Sequence, residues 1–275
     1  MRQGRNYELF IQIDGRTVLV RPPIRVSFAG DKSIAGGLNR LDLTVYNLER
    51  SKRLAVAKDP DDQKYVPLQF SVGYGDKLEP LFRGSVFVAR NRQEGADILT
   101  EIECVDGGFD YQFSETDRTV DAGGDPVRAL LSDMLNTEAG AIAPRQPLIR
   151  PRVMSGRTPR VLDQIIGNGE SWFIQDERLN ILGPDQVVAG EVPLVSASTG
   201  LIETPTREQQ VVTFKTLFNP AVRVGALLEL ESLRAPHING TYQARTITYD
   251  GDLDGETWEQ TVTAFPQTRP ESIRG

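Results

Sequence analysis

Cysteine and histidine are almost missing from this chain of 275 residues, with one of each, Cys104 and His237. A single cysteine excludes an intrachain disulfide. One Cys and one His cannot supply the usual zinc ligand set. A cysteine nucleophile wants a histidine partner, and His237 lies in a turn of sequence Ala-Pro-His-Ile-Asn-Gly. Cys104 shares a face with Ile98 and Ile102 in an alternating run, which reads as a buried small hydrophobe. Long apolar runs are also lacking: none approaches the ~20 residues of a membrane span. Positive charge is in deficit, with 31 Lys and Arg against 38 Asp and Glu and a net charge of −7. That balance argues against a surface that grips nucleic acid. A protein that only surrounds passing DNA would use weak repulsion well. No secretory leader pattern opens the chain at Met1–Asn6, so folding in a reducing cytoplasm is expected.

What is present is alternation. Ile24, Val26 and Phe28 alternate with polar neighbours, as do Leu41, Leu43 and Val45 after a Gly-rich, charged break. A period of two places each set on one face, which predicts two antiparallel strands joined by a long turn, Gly30–Arg40. Tyr7–Ile13 and Thr17–Val20 flank Asp14-Gly15, a hairpin signal. Leu68–Tyr74, Leu81–Ala89 and Ile98–Val105 follow as strands around Gly75-Asp76 and Glu94-Gly-Ala-Asp97. Residues 7–106 thus predict seven strands and a short helix near Leu48–Ala57, a barrel or sandwich.

The period then changes. Asp125-Pro126 reads as a helix cap followed by proline, and Val127, Leu130, Leu131, Met134 and Leu135 form one apolar stripe. Thr158-Pro159 repeats the device before Val161, Leu162, Ile165 and Ile166, with Gly167-Asn-Gly169 as the stop. Trp172–Gln175 and Leu179–Leu182 pair as a hairpin around Asp176-Glu-Arg178, while Ala139–Pro151, with three prolines, reads as a loop. Strands return at Val211–Phe218, Leu227–Leu230, Thr241–Tyr249 and Thr257–Phe265, ahead of a proline-bearing tail that reads as frayed. The fold class is mainly β with an α+β insert. Its expected parts are a first β domain (1–112), a middle α/β domain with two helices and a hairpin (113–200), and a second, smaller β unit (201–275).

Motifs for chemistry are weak. Asp250-Gly-Asp252-Leu-Asp254-Gly255 matches the first half of a calcium loop, but Thr261 stands where the bidentate acid belongs and the flanks are strand-like. An acidic hairpin turn is the simpler reading. Asp59-Pro60-Asp61-Asp62 reads as a solvated turn. Gly167-Asn-Gly-Glu-Ser171 lacks the order of a nucleophile elbow, and no phosphate-binding glycine loop occurs. No catalytic, cofactor-binding or metal residue is nominated, and no cofactor is expected.

The order of several stretches resembles the baseplate hub proteins of phage tails, especially contractile ones. They are Arg21–Phe28, Asn39–Leu48 ending in Tyr-Asn-Leu, Leu81-Phe-Arg-Gly-Ser-Val86, Asp106-Gly-Gly, Thr158–Gly167 followed by Trp172-Phe-Ile-Gln-Asp, and Thr199-Gly-Leu-Ile202. In the last unit come Leu217-Phe-Asn-Pro220, Gly225, Asn239-Gly-Thr-Tyr242 and Tyr249-Asp-Gly-Asp252. The resemblance covers about residues 20–265. It implies two tail-tube-like β-barrel or sandwich units and a non-enzymatic homotrimer adapting a sixfold tail tube to a threefold spike. The implied partners are tube protein, central spike, tape-measure protein and other baseplate proteins, around a channel for DNA ejection. No membrane and no sequence-specific nucleic-acid binding are implied, and the location is the virion tail, assembled in the host cytoplasm. It also gives the Gly30–Arg40 loop a contact with a neighbouring subunit or with the next ring. Two other readings compete. One is a tail-associated peptidoglycan hydrolase using Glu170 and Asp176; the other is a receptor- or carbohydrate-binding β protein, which would expose aromatic platforms where Trp172 and Trp258 read as buried.

Overall fold

The computed structural model describes residues 4–167, 169–268 and 270–275. The opening Met1–Gln3 and the Asn168 of the Gly167-Asn-Gly169 stop lie outside the described residues.

The first seven strands are β1 (Arg5–Ile13), β2 (Arg16–Val20), β3 (Val26–Ser33), β4 (Arg40–Tyr46), β5 (Pro67–Tyr74), β6 (Lys77–Glu94) and β7 (Asp97–Val105), with helix α1 (Arg50–Val56) between β4 and β5. Seven strands and one short helix are what the alternation predicts. Asp14 and Gly15 take φ of 49° and 73°, the left-handed pair that a two-residue hairpin turn requires. Tyr7, Leu9, Ile11 and Ile13 of β1 point inward, as do Leu41, Leu43 and Val45 of β4.

The middle of the chain holds α2 (Gly108–Phe113), β8 (Glu115–Val120), α3 (Pro126–Leu131), β9 (Glu138–Ile142), β10 (Arg152–Arg157), α4 (Thr158–Ile165), β11 (Ser171–Gln175) and β12 (Arg178–Leu182). Beyond it run β13 (Gln186–Val188), β14 (Leu194–Val195), β15 (Thr206–Glu208), β16 (Val211–Leu217), β17 (Leu227–Leu230), β18 (Gly240–Asp252), β19 (Trp258–Pro266) and β20 (Glu271–Ile273).

One sheet dominates, in the order β15-β16-β19-β18-β3-β4-β7-β6-β5-β1-β2, with β14 and β17 attached beside β18. Strand β18 is the seam. Its first residues pair with β17 (Tyr242 opposite Leu228), and after an irregularity at Arg245 its remainder pairs with β3, from Thr246 opposite Ser33 to Asp252 opposite Ser27. The two β regions therefore share backbone hydrogen bonds and one buried cluster that runs from Tyr7 to Ile273. A second cluster, around Val127, Leu130, Met154, Leu162, Trp172 and Ile181, belongs to the middle region.

Five local expectations change. The Gly30–Arg40 turn is shorter, because pairing with β18 carries β3 through Ser33 and leaves Ile34–Asn39 as the loop. Gly30 suits that strand because a Cβ there would stand 2.6 Å from the Arg40 carbonyl oxygen. The helix expected to carry the stripe to Leu135 ends at Leu131; Met134 is still buried, but Leu135 is 87% exposed. Downstream, the buried Asp110 carboxylate accepts from the Asn136 backbone (2.7 Å), the Asn136 side chain (3.1 Å) and the Thr137 hydroxyl (2.8 Å), which pulls the chain out of helix. Asp125 does cap α3, accepting from the Val127 amide at 2.9 Å, but Thr158 is no cap: its hydroxyl is buried against Thr116, 3.1 Å away. The residues read as a loop after Ala139 begin with β9, which pairs in parallel with β12, and the tail read as frayed ends in β20, paired in parallel with β13 and burying Ile273.

Candidate functional site: a charged junction and its neighbouring pockets

The residues with the densest polar chemistry meet where β3, the end of β7 and the β11–β12 turn converge. Asp106 is fully buried, and its two oxygens accept the backbone amides of Asp176 (2.6 Å) and Glu177 (2.7 Å). Those two residues have φ of 55° and 61°, so the carboxylate holds a left-handed turn that would otherwise leave inward amides unpaired. Lys32, itself 4% exposed, donates to the Asp176 carboxylate at 2.8 Å. Asn39 donates to the Ile174 carbonyl at 2.7 Å and accepts from the Ser33 amide at 3.0 Å, pinning the Ile34–Asn39 loop to the middle region. Tyr65 donates to Glu177.

Burial, and then the Asp176 charge, push the Asp106 carboxyl up to about 7, against the opposing pull of Lys32 and the two amides. Burial likewise raises Glu177 and the hydroxyls of Tyr65 and Tyr249. The glycines following Asp106 fit this packing. Gly107 has φ of 63° and a Cβ there would lie 2.6 Å from Ile174, while one at Gly108 would lie 2.1 Å from Val105.

Asp250-Gly-Asp252-Leu-Asp254-Gly255 is clamped by arginines. Arg25 donates to both Asp252 carboxylate oxygens (3.1 and 2.7 Å) and stacks over Tyr46 at 4.4 Å. Arg5 donates to the carbonyls of Asp252, Gly255 and Glu256 at 2.6–2.8 Å. The Arg25 hydrogen bond holds the Asp252 carboxyl below the usual range. Among the described residues no group of three or more His, Cys, Asp or Glu is arranged to hold a metal ion. Cys104 is 1% exposed and burial raises its thiol well above the usual range; His237 lies in a turn of 3-10 helix, Pro236–Ile238. Asp59–Asp62 closes a turn through the Asp62 amide and the Asp59 carbonyl.

Of the two carboxylates assigned to the hydrolase reading, Glu170 pairs with Arg145 at 3.0 Å and Asp176 with Lys32. Each is already neutralised by a cation. Trp172 and Trp258 are 9% and 3% exposed, packed against Tyr111 and Phe28. They offer no platform for a sugar ring.

A groove of about 850 Å³ runs along β4 and β7 beneath α2 and α4, lined by Arg40, Asp42, Glu101, Glu103, Arg157 and Arg160 among others. Burial and the cross-strand neighbour Glu103 raise the Asp42 carboxyl. Sequence reasoning missed the Asp106 junction, since Asp106, Lys32 and Asp176 are far apart in the chain. Its only trace was that Asp106-Gly-Gly and Trp172–Asp176 stood among the stretches carrying the resemblance.

Residues 146–256 match the family described as baseplate hub gp41. Its likeness is to phage baseplate hub proteins. The solved structures similar to this chain agree. A tail protein from Neisseria meningitidis MC58 superposes with a TM-score of 0.63 at 10% identity, covering 94% of this chain and 96% of that one. The 43 kDa tail protein of prophage MuSo2 from Shewanella oneidensis gives 0.63 at 8% identity, with 94% and 96% covered. An E. coli component of the type VI secretion system, itself described as similar to the T4 tail proteins gp27 and gp5, gives 0.67 at 11% identity, with 96% and 79% covered. No curated protein matches the sequence. At such identities the structural likeness speaks for a shared β-rich tail-protein fold. A baseplate hub family is a family of structural tail components.

Proposed function

We propose that this chain is a non-enzymatic subunit of a trimeric baseplate hub, adapting a sixfold tail tube to a threefold spike around the channel for DNA and tape-measure protein. The observation that carries this reading is the β18–β3 seam. By joining the two β regions through backbone hydrogen bonds, it fixes them in one rigid body. Three copies of such a body offer six β units at fixed spacing, which is what matching sixfold to threefold symmetry needs. The three parts 1–112, 113–200 and 201–275 then act as first tube-like unit, middle unit and second tube-like unit. Tube protein, spike and other baseplate proteins are its partners, it needs no cofactor or metal, and it resides in the virion tail after assembly in the host cytoplasm.

The measurement is native mass spectrometry of the purified chain, alone and mixed with tube protein. A trimer, or a ring formed only with tube protein, supports the reading. A monomer that stays monomeric with tube protein at high concentration overturns it. Deleting Ala35–Leu38, the tip of the loop beside Trp172, is expected to leave the fold intact and abolish assembly with tube protein. Hydrolysis of purified peptidoglycan that is lost in Glu170→Ala or Asp176→Ala would replace a structural role with an enzymatic one.

A further inference from the structure

A recess of about 400 Å³ opens beside the charged junction, and all three parts of the chain build it. Strand β6 contributes Pro80 and Arg83, the β11–β12 hairpin contributes Gln175, Asp176 and Arg178, and the segment before β17 contributes Arg223. Three guanidinium groups thus face one recess in a chain whose net charge is −7. Two nearby carboxylates are committed elsewhere, Asp176 to Lys32 and Glu177 to the Tyr65 hydroxyl, while Glu138, 3.6 Å away, is the ion-pair partner of Arg178. Arg83 and Arg223, both exposed, make no ion pair or side-chain hydrogen bond among the described residues. Gln175 adds a buried side-chain oxygen with no hydrogen-bond partner. Turning that amide over places its NH₂ at the same point, a donor for an incoming acceptor.

We propose that this recess is a docking pocket for an acidic peptide segment of a partner protein, whose carboxylate is held between Arg83 and Arg223. Guanidinium forks match carboxylates in two-pronged geometry, and the match gains strength where water is partly excluded. Size favours a peptide over a nucleic-acid duplex, because a recess of this volume admits one or two side chains and not a double helix. The pocket requires no particular oligomeric state, so its test is separate from that of the trimer.

The probe is fluorescein-labelled hexaglutamate, with hexalysine and a single-stranded oligonucleotide as controls, titrated into the full chain by fluorescence anisotropy. Saturable hexaglutamate binding that weakens as salt rises is expected. It should fall about tenfold or more in the Arg83→Gln/Arg223→Gln double variant, fall by a smaller factor in Arg83→Lys/Arg223→Lys, which keeps the charge but loses the two-pronged fork, and be unchanged in Arg92→Gln. Arg92 is an exposed arginine already paired with Glu94 and Glu101. Thermal melting of each variant verifies that it is folded. No hexaglutamate binding, equal loss in Arg92→Gln, or tighter binding of the oligonucleotide at the same arginines overturns the proposal.

Discussion

The β regions and the middle region solve the same packing problem by different means. In the β regions, alternating side chains from strands far apart in sequence converge on one cluster, and tight turns such as Asp14-Gly15 set the register locally. In the middle region short helices and small two- and three-stranded sheets surround a smaller cluster, and polar side chains fix the chain path: Asp110 after α3, Thr158 against Thr116, Asp106 beneath the β11–β12 turn. A large apolar cluster tolerates the loss of any one polar contact. A small one pinned by single carboxylates does not. Positioning of the middle region therefore rests on a few residues.

The largest expected effect breaks the shared β core. Phe70 is fully buried, with its ring 5.1 Å from that of Phe28 and 6.0 Å from that of Tyr7. Phe70→Ala should destabilise the whole chain by about 4 kcal/mol, read as a shifted denaturant midpoint reported equally by probes in both β regions. If only probes near β5 respond, the core is not shared.

Next comes the joint between the regions. Gly107→Ala places a methyl group against Ile174 at a left-handed backbone and should cost about 3 kcal/mol. Hydrogen exchange should show β11 and β12 losing protection before β3 and β4 do. Simultaneous loss throughout would mean that the middle region has no separate stability.

A smaller effect is the pH dependence of the same joint. The Asp106 carboxyl is raised in the folded chain to about 7, above its unfolded value near 3.9. Its protonated form is therefore favoured by folding. That contribution is complete below about pH 4 and is lost as pH rises through about 7. Melting temperatures measured from pH 5 to 8 should fall with pH, and Asp106→Asn should flatten the fall. An unchanged slope in the variant would place the titration elsewhere. Two contrasts come last. Met134→Ala, at a side chain 3% exposed, should cost about 2 kcal/mol, whereas Leu135→Ser should cost almost nothing. Arg25→Ala removes a half-exposed pair with Asp252 and should cost about 1 kcal/mol or less, diminishing as salt rises.

Much of this molecule is legible residue by residue. Period-two alternation located β1–β7 and β16–β19 because a strand that buries one face must alternate, whatever its partner. Asp125-Pro126 announced α3 because a cap satisfies orphan amides within its own helix. The misses share a different cause. Nothing local to Leu135 says that Asp110 captures the chain just beyond it, and nothing in the tail says that β13 waits to pair with Glu271–Ile273. Several of the stretches behind the resemblance to hub proteins turn out to be structural joints. Arg25, Tyr46 and Asp252 meet in one clamp, and Asn39, Asp106 and Asp176 in another.

By itself the sequence determined a mainly β chain with a helical insert, a lone cysteine in a strand and an acidic balance, because those follow from spacing and composition. Only the tertiary structure decided that the two β regions form one sheet, since register across β18 and β3 depends on residues more than two hundred positions apart. The same holds for the buried carboxylate and for the arginine-lined recess. Charges become a site only when folding brings them within a few ångströms, where a lowered dielectric makes their interaction count.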